Sequence, residues 1–493
     1  MELVYSFLIV LTIYTVLVYL LSWWGYKKTK DVEGWMIANW QLGGILIGFS
    51  YSSTYISAVA LIGFVGLAAS VGHGLLWEGW NNALIATVIP FLVWAWRLRV
   101  MSERLGAATP AELVGMRYGS RGLEGLIGLI FAVLMVPYMI AIYKGVASMV
   151  DALWGLPYFW GVVLMFIITI IYVIFGGIRA EVYTDAFQGI MMVAGILVFM
   201  IPLYMRFGGP FEMYVAISQF NPKLTSFPAF GTATWISIVN LIIVINFGGW
   251  GSPHLIQRFL ALKDRKGIFW ALPIAVITLA IWNWAYEAGV AAPLIFKQVG
   301  MKLPATDYIA AELMKILMPQ WAWMLWSLAI TAAAMSTIDS VLHVASLTVS
   351  RDLFQRYLFP KMKKELSERG MLRFTWVVTL IIGFVALIWA LYPPTIVALI
   401  SAYAFSLLAS AFTAPLLLTL YWRRATLAGA SAGVILGFLS GLAIYQLHIS
   451  FPAPVMVGIP VSLISMIVVS LVTKPPPQDL IDKCFKGVPL FSW

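Results

Sequence analysis

Residues 331–352 read TAAAMSTIDSVLHVASLTVSRD. Three alanines precede Ser336, Thr337, Asp339, Ser340 and His343, in a run otherwise apolar enough to cross a bilayer. On an α-helix each residue turns by about 100°. With Ser336 at the origin, Ser340 falls near about +40°, Ala333 near about +60° and Thr337 near about +100°. Asp339 falls near about −60° and His343 near about −20°. The polar groups share one side of the helix, and Ala333 keeps that side open by being small. An acid at the bilayer centre costs ~2.5–3.5 kcal/mol, so Asp339 is expected to face a cavity or a partner. Hydroxyl, carbonyl and carboxylate oxygens at this density suit a hard cation such as Na⁺. Ser346 and Thr348 read more simply as hydroxyls bonded within their own helix. His343 reads as packing or a supporting hydrogen bond rather than as a ligand.

The rest of the chain agrees with a membrane setting. Of its 493 residues, 62% are hydrophobic and only 11% charged, with mean hydropathy +0.92. A soluble fold of this length needs more polar surface. Apolar runs of roughly 20 or more residues match the ~30 Å hydrocarbon core and argue for a polytopic all-α membrane protein, not a β-barrel. One cysteine, Cys484, excludes a disulfide framework and a cysteine-rich metal site. Thirteen spans are expected, at 4–25, 41–69, 73–96, 122–150, 157–177, 184–206, 232–256, 268–292, 319–349, 374–392, 395–421, 426–446 and 453–473. The first reads as a retained helix, because it has neither a basic leader nor a small-residue cleavage site.

Basic residues set the orientation. Alternate loops carry 25 of the 31 Lys and Arg residues, from Lys27, Lys28 and Lys30 through Arg258 and Arg351–Arg373 to Lys486. The opposite side has Arg206, Lys223, Lys297, Lys302 and Lys315, and Lys144 lies within a span. The positive-inside rule puts the N-terminus outside and the C-terminus, with a short tail at 475–493, in the cytoplasm. The +10 net charge is thereby explained without a nucleic-acid partner. The longest hydrophilic stretch, 350–373, is a loop, so function is expected within the membrane.

Two spans look interrupted. The second contains GGILIGFSYSSTYISAVALIGFVG, and the seventh contains INFGGWGSPHLIQRF with Pro253. Proline removes a helix hydrogen bond, and freed carbonyls survive in a membrane only beside protein or a polar cavity. Close packing through small faces is the simpler account of any single glycine. Two such helices five spans apart point to an inverted repeat with a midplane site.

Three motifs together resemble the sodium/solute symporter family, which carries proline, pantothenate, monocarboxylates, sugars and sialic acid. They are GGIRAEVYTDAFQG at 176–189, GSPHLIQRFLALKD at 251–264 and AAAMSTIDSVLHVASLTVSRDLF at 332–354. The resemblance spans essentially the whole chain. It implies the leucine-transporter fold, with repeat one at about 41–206, repeat two at about 232–421 and extra helices at 4–25, 426–446 and 453–473 within a single domain, 1–474. It implies a main Na⁺ site from the carbonyls of Ser53, Ile56 and Ala333 and the hydroxyls of Ser336 and Thr337. It also implies a possible second Na⁺ or proton site at Asp185, Asp339 and Ser340. Arg179 and Glu181 read as ordinary cytoplasmic charges.

Solute-pocket candidates are Tyr55, Gly63, Glu78, Tyr138, Lys144 and Trp250. Lys144 lies roughly 12 residues, or ~18 Å, from the outer end of its helix, long for snorkelling. It is a candidate to hold a solute carboxylate, with Asp151 or Glu78 as alternative partners. The expected activity is Na⁺-coupled import of a small organic solute across the plasma membrane. That solute is expected to bear a carboxylate, as proline or another amino acid, a monocarboxylate or pantothenate does. A monomer suffices for transport, and the lipid bilayer is the other partner. H⁺-coupled or Na⁺-independent transport remains open, as does a transport-derived membrane sensor. An enzyme is not expected, since the sequence has no HExxH motif, no paired metal ligands and only four His.

Overall fold

The computed structural model describes residues 2–28, 32–226, 234–447 and 453–488. Lys30, residues 232–233 at the expected start of the seventh span, and residues 489–493 of the tail lie outside the described residues. Among the described residues the chain is helical throughout, with one isolated parallel bridge between Leu42 and Leu262.

The helices follow the expected order. Span 1 (Val4–Lys27) precedes a bent pair, span 2 (Gly44–Tyr55 and Val59–Val71), and a second bent pair, span 3 (Gly74–Val93 and Ala95–Leu105). Span 4 (Arg121–Trp154), span 5 (Tyr158–Ile174) and span 6 (Gly176–Phe207) follow. Span 7 is the third bent pair (Trp235–Gly251 and Pro253–Leu260), followed by span 8 (Arg265–Gln298), span 9 (Gln320–Lys361) and span 10 (Glu368–Leu391). Span 11 (Val397–Tyr421), span 12 (Leu427–Gln446) and span 13 (Pro454–Val472) follow; among the described residues nine of these helices, or twelve with each bent pair taken as one, are long and apolar enough to cross a membrane, and Tyr158–Ile174 is a shorter apolar helix. Spans 5 and 6 are separated only by a kink at Gly177, where φ is +69°. A Cβ there would lie 2.5 Å from the Trp35 ring, so both backbone and space demand glycine.

Burial separates core from periphery. The apolar window of span 9 is 100% buried, against 22% for span 1, 33% for span 12 and 28% for span 13. Span 9 is the central post, and the three extra helices are lipid-facing. Span 1 leans on spans 5 and 6, where the Tyr19 hydroxyl donates to the Ile168 carbonyl at 2.8 Å. Spans 12 and 13 pack on each other through Ser462, whose hydroxyl donates to the Gly433 carbonyl at 2.8 Å.

The break in span 2 sits beyond the glycines that open that helix, whereas the break in span 7 falls directly after Gly251. Gly44 packs so tightly on span 8 that a Cβ would come 2.0 Å from the Gly267 carbonyl oxygen. The glycines at the start of span 2 therefore serve close packing, and its break is at Ile56, whose backbone is extended at φ −88°, ψ 118°. Span 7 breaks the same way at Ser252, φ −79°, ψ 116°, just before Pro253. The two halves meet at 50° in span 2 and 45° in span 7. The first helix of each five-helix set is thus broken in a matching manner, which brings free backbone groups to the interior.

Candidate functional site

Span 9 crosses span 2 at its break, and the polar stripe faces it. The Ser336 hydroxyl donates to the Ser53 carbonyl at 2.9 Å and to its own-helix Ala333 carbonyl at 3.2 Å. The Thr337 hydroxyl reaches the Thr54 carbonyl at 3.1 Å and the Ala333 carbonyl at 3.0 Å. Ser53, Ala333, Ser336 and Thr337 are all fully buried. Four of the five residues expected at the main cation site therefore converge, and Ile56 is the break itself. The donor set is neutral carbonyl and hydroxyl oxygen, which fits Na⁺ and not a softer metal. Unwinding at Ile56 frees the span 2 carbonyls from their own helix, and the Ala333 carbonyl lies between the two hydroxyls that bond it.

One helical turn along, the stripe meets a buried charge cluster. The Asp185 carboxylate accepts from the Ser50 hydroxyl at 2.6 Å, from Arg258 Nη2 at 3.0 Å and from the Thr54 hydroxyl at 3.3 Å. Ser340 touches the same Arg258 Nη2 and lies 3.2 Å from the Thr54 hydroxyl. Glu181 Oε2 sits 3.4 Å from that guanidinium, and Glu181 Oε1 lies against His343 Nδ1. Asp339 turns away to the Tyr172 hydroxyl, 2.9 Å from Oδ2, while its Oδ1 accepts the Ser340 backbone N–H at 2.6 Å. Asp185 and Ser340 thus do come together, but around the guanidinium of Arg258, which is fully buried. Arg258 is no loop cation, and Glu181, 2% exposed, is no cytoplasmic surface charge. His343 stacks on Trp35 at 4.6 Å between ring centres, in keeping with a packing role.

Beside the span 2 break lies a small enclosed pocket. It is lined by Tyr55, Ile56 and Ser57, by Glu78 and Asn82 of span 3, and by Tyr138, Tyr286, Ser401 and Phe405 of spans 4, 8 and 11. The Tyr55 hydroxyl donates to Asn82 Oδ1 at 2.9 Å, and Asn82 Nδ2 donates to Glu78 Oε1 at 2.7 Å. The second carboxylate oxygen of this fully buried Glu78 makes no close hydrogen bond among the described residues, and the Tyr286 hydroxyl interacts with the carboxyl group from across the pocket. At about 30 Å³ the pocket has room for about one or two waters. This conformation is therefore closed around the site, and a solute requires the lining to separate.

Tyr55, Glu78 and Tyr138 share this pocket, and three other candidates lie elsewhere. Lys144 pairs with Asp307 at 2.6 Å and donates to the Thr395 carbonyl at 2.7 Å. Asp307 also accepts the Val397 backbone N–H at 3.2 Å, so this ion pair ties span 4 to the start of span 11. Trp250 donates to the Ile85 carbonyl at 3.2 Å and packs edge-on against Trp94. Gly63 gives span 11 close approach, since a Cβ there would meet Ala398 N at 3.0 Å. Asn82 and Tyr286 carry no separate signal in the sequence: one amide and one of 21 tyrosines. Arg258 alone had a clue, its place in the helix directly after the Pro253 break.

The profile of the sodium:solute symporter family matches residues 35–437. The chain belongs to this family. Similar proteins include the sodium/pantothenate symporter of Escherichia coli, 28% identical and covering 93% of this chain and 95% of its own length. The osmoregulated proline transporter OpuE of Bacillus subtilis is 28% identical over 95% of both chains. The high-affinity proline transporter PutP of the same organism is 27% identical, covering 94% of this chain and 98% of its own. Among solved structures, a Na⁺-coupled sialic acid symporter superposes with a TM-score of 0.81 at 19% identity, covering 96% of this chain and 98% of that one. That likeness establishes the fold. The symporter is a multi-pass plasma-membrane protein with the leucine-transporter architecture, and it couples import of a solute to Na⁺.

Proposed function

We propose that one Na⁺ binds the carbonyls of Ser53, Ile56 and Ala333 and the hydroxyls of Ser336 and Thr337, and that it clamps the broken span 2 to span 9. With the break so fixed, the adjoining pocket is shaped to take the solute. Closure and reopening on the other side release both, and a potential of 100 mV, negative inside, adds ~2.3 kcal/mol per inward charge. Coupling is reciprocal: Na⁺ raises solute affinity by the factor by which solute raises Na⁺ affinity. The N-terminus lies outside and the C-terminus inside. The monomer holds the whole path, with the bilayer as its only other partner and no nucleic acid. The chain works as a carrier and not as an enzyme.

At the second position, Asp185 and Ser340 hold Arg258 in place of a second Na⁺, and Asp339 braces Tyr172. The observation that carries the solute assignment is the buried Glu78 carboxyl group in the pocket wall, whose second oxygen makes no close hydrogen bond among the described residues. A buried carboxylate oxygen with incomplete hydrogen bonding is costly, so a solute that brings it an N–H or O–H donor is favoured. Proline supplies an ammonium and pantothenate supplies hydroxyls. Both also carry a carboxylate, and both are solutes named for the relatives. Lys144 is engaged elsewhere, and the solute carboxylate is left to the half-helix ends at the break and to Na⁺. Proteoliposomes with an imposed Na⁺ gradient and labelled proline, pantothenate, lactate, pyruvate and sugars test this. Uptake of a donor-bearing carboxylate is expected, with at least about a tenfold loss of affinity in Glu78→Gln. Equal uptake of pyruvate, which has no donor, would refute it. The cluster of Asp185, Glu181 and Asp339 supports H⁺ coupling as a second reading. Uptake driven by a pH gradient in Na⁺-free medium would favour it.

A further inference from the structure

Span 9, at 42 residues, is longer than a bilayer crossing needs. Past the cation site it continues from Thr348 to Leu358 as wider, π-type turns, then closes at Lys361. The chain turns back at Lys363, whose φ is +51°. Its N–H bonds to the Pro360 carbonyl at 3.3 Å, and the Lys364 N–H to the Phe359 carbonyl at 2.9 Å. This is the left-handed helix stop that glycine usually provides, so a lysine is held there against its backbone preference. The turn encloses a cleft of about 860 Å³, within the size range of small-molecule sites.

Five cations line it: Arg121, Arg351, Arg356, Lys363 and Lys364. Two are fixed from behind. Arg351 makes two hydrogen bonds of 3.0 Å to Glu112, and Arg356 reaches Glu112 at 3.1 Å and Glu124 at 2.5 Å. Both glutamates are 1% exposed, while the arginines keep 19% and 25% of their side chains open. Arg351 spends its Nε and Nη2 on Glu112, and Arg356 its Nε on Glu124 and its Nη1 on Glu112, so both side chains are held in place with their remaining N–H groups left over. Arg121, Lys363 and Lys364 make no ion pair among the described residues. The one carboxylate on the rim is Glu365.

We propose that this cleft binds a phosphate-bearing anion, and that its source is the headgroup of an anionic phospholipid of the cytoplasmic leaflet. Charge complementarity supplies the anion: Arg121 can match phosphate oxygens in pairs, the two lysines gain most from a counter-charge, and the N–H groups that Arg351 and Arg356 keep beyond their glutamates add to them. Position selects the lipid. The cleft lies on the side that the positive-inside rule assigns to the cytoplasm, where anionic lipids attract polybasic segments. Its rim includes Phe359 and Leu366, the latter 44% exposed. Two residues on, span 10 begins, and its outer face offers Val377, Ile381 and Phe384, 51%, 58% and 54% exposed. A headgroup in the cleft therefore has a lipid-facing track for its acyl chains. Because the cleft is built on the helix that carries Ser336 and Thr337, occupancy steadies the post of the cation site.

The test uses the whole purified protein in neutral detergent, titrated with dioctanoyl phosphatidylglycerol and followed by native mass spectrometry. The variant is Arg121→Ala, Lys363→Asn, Lys364→Ala, in which Asn keeps the left-handed turn. Arg351 and Arg356 are left intact because they pair with buried acids. The expected result is phosphatidylglycerol binding at least about tenfold weaker in the variant, with dioctanoyl phosphatidylcholine binding neither form in this range. Raising NaCl from about 0.1 to 0.5 M should weaken wild-type binding. Unchanged Na⁺-driven uptake at saturating Na⁺ shows that the variant is folded. Equal phosphatidylglycerol affinity in the two proteins overturns the proposal. Inorganic phosphate displacing the lipid completely at low millimolar concentration overturns the lipid as the source.

Discussion

Arg258→Gln removes the cation that Asp185, Glu181 and Ser340 share. The three groups lie within about one side-chain length of a guanidinium with no solvent exposure. Deleting one partner of a buried ion pair costs about 3–5 kcal/mol, because the other charge stays buried alone. Two carboxylates are stranded here, though Glu181 keeps His343 as a neighbour, so the loss belongs in that range rather than above it. With an unfolding entropy of about 2.1 cal/mol/K per residue, this is a fall in Tm of at least about 3 °C for the solubilised protein. Two further measurements separate this from a general packing defect. Arg258→Gln combined with Asp185→Asn should recover part of the loss, since of the two stranded carboxylates only Glu181, which keeps His343, is then left over. Adding Na⁺ should stabilise Arg258→Gln more than wild type, because four oxygens of Ser50, Thr54, Asp185 and Ser340 remain to receive a cation. Additive losses in the double variant, or an equal Na⁺ response in both proteins, would refute the view that Arg258 stands in for an ion.

Lys144→Met should cost about 3–5 kcal/mol by stranding Asp307, and Lys144→Met with Asp307→Asn should recover most of it; solute affinity in the rescued protein should match wild type in the uptake assay. Gly177→Ala should lower stability by at least about 1–3 kcal/mol through its left-handed backbone and by more through collision with Trp35, read as a lower Tm and reduced surface expression. Tyr172→Phe removes the hydroxyl facing Asp339 without changing packing, and should cost about 1–3 kcal/mol while leaving the Na⁺ dependence of uptake unchanged.

Much of the architecture was legible because a bilayer allows few solutions. Apolar length marked the spans, and helical geometry put Ser336, Thr337 and Ala333 on one face before any partner was known. The break in span 7 was readable in place, from the glycines and Pro253 on either side of Ser252. In span 2 the residues alone gave only its kind, since Gly44 serves close helix approach, and the family resemblance gave its place at Ile56. Lys144 illustrates a second limit. Its burial required a partner, but the partner, Asp307, lies on a loop that folding brings near and sequence distance hides. Arg258 is the sharpest case. Near the end of an amphipathic half-helix it is indistinguishable from a loop cation by composition, and only the crossing of spans 2, 6, 7 and 9 buries it beside two acids.

The central claim is that Na⁺ joins the broken span 2 to span 9 through Ser336 and Thr337. The most direct measurement is initial uptake against external Na⁺ in proteoliposomes, for wild type and for Ser336→Ala with Thr337→Ala. The account predicts saturable Na⁺-driven uptake in wild type and loss of Na⁺ dependence in the variant, with its helical circular dichroism and solubilised yield unchanged. Sodium-driven uptake retained at wild-type half-saturation in the variant would contradict it.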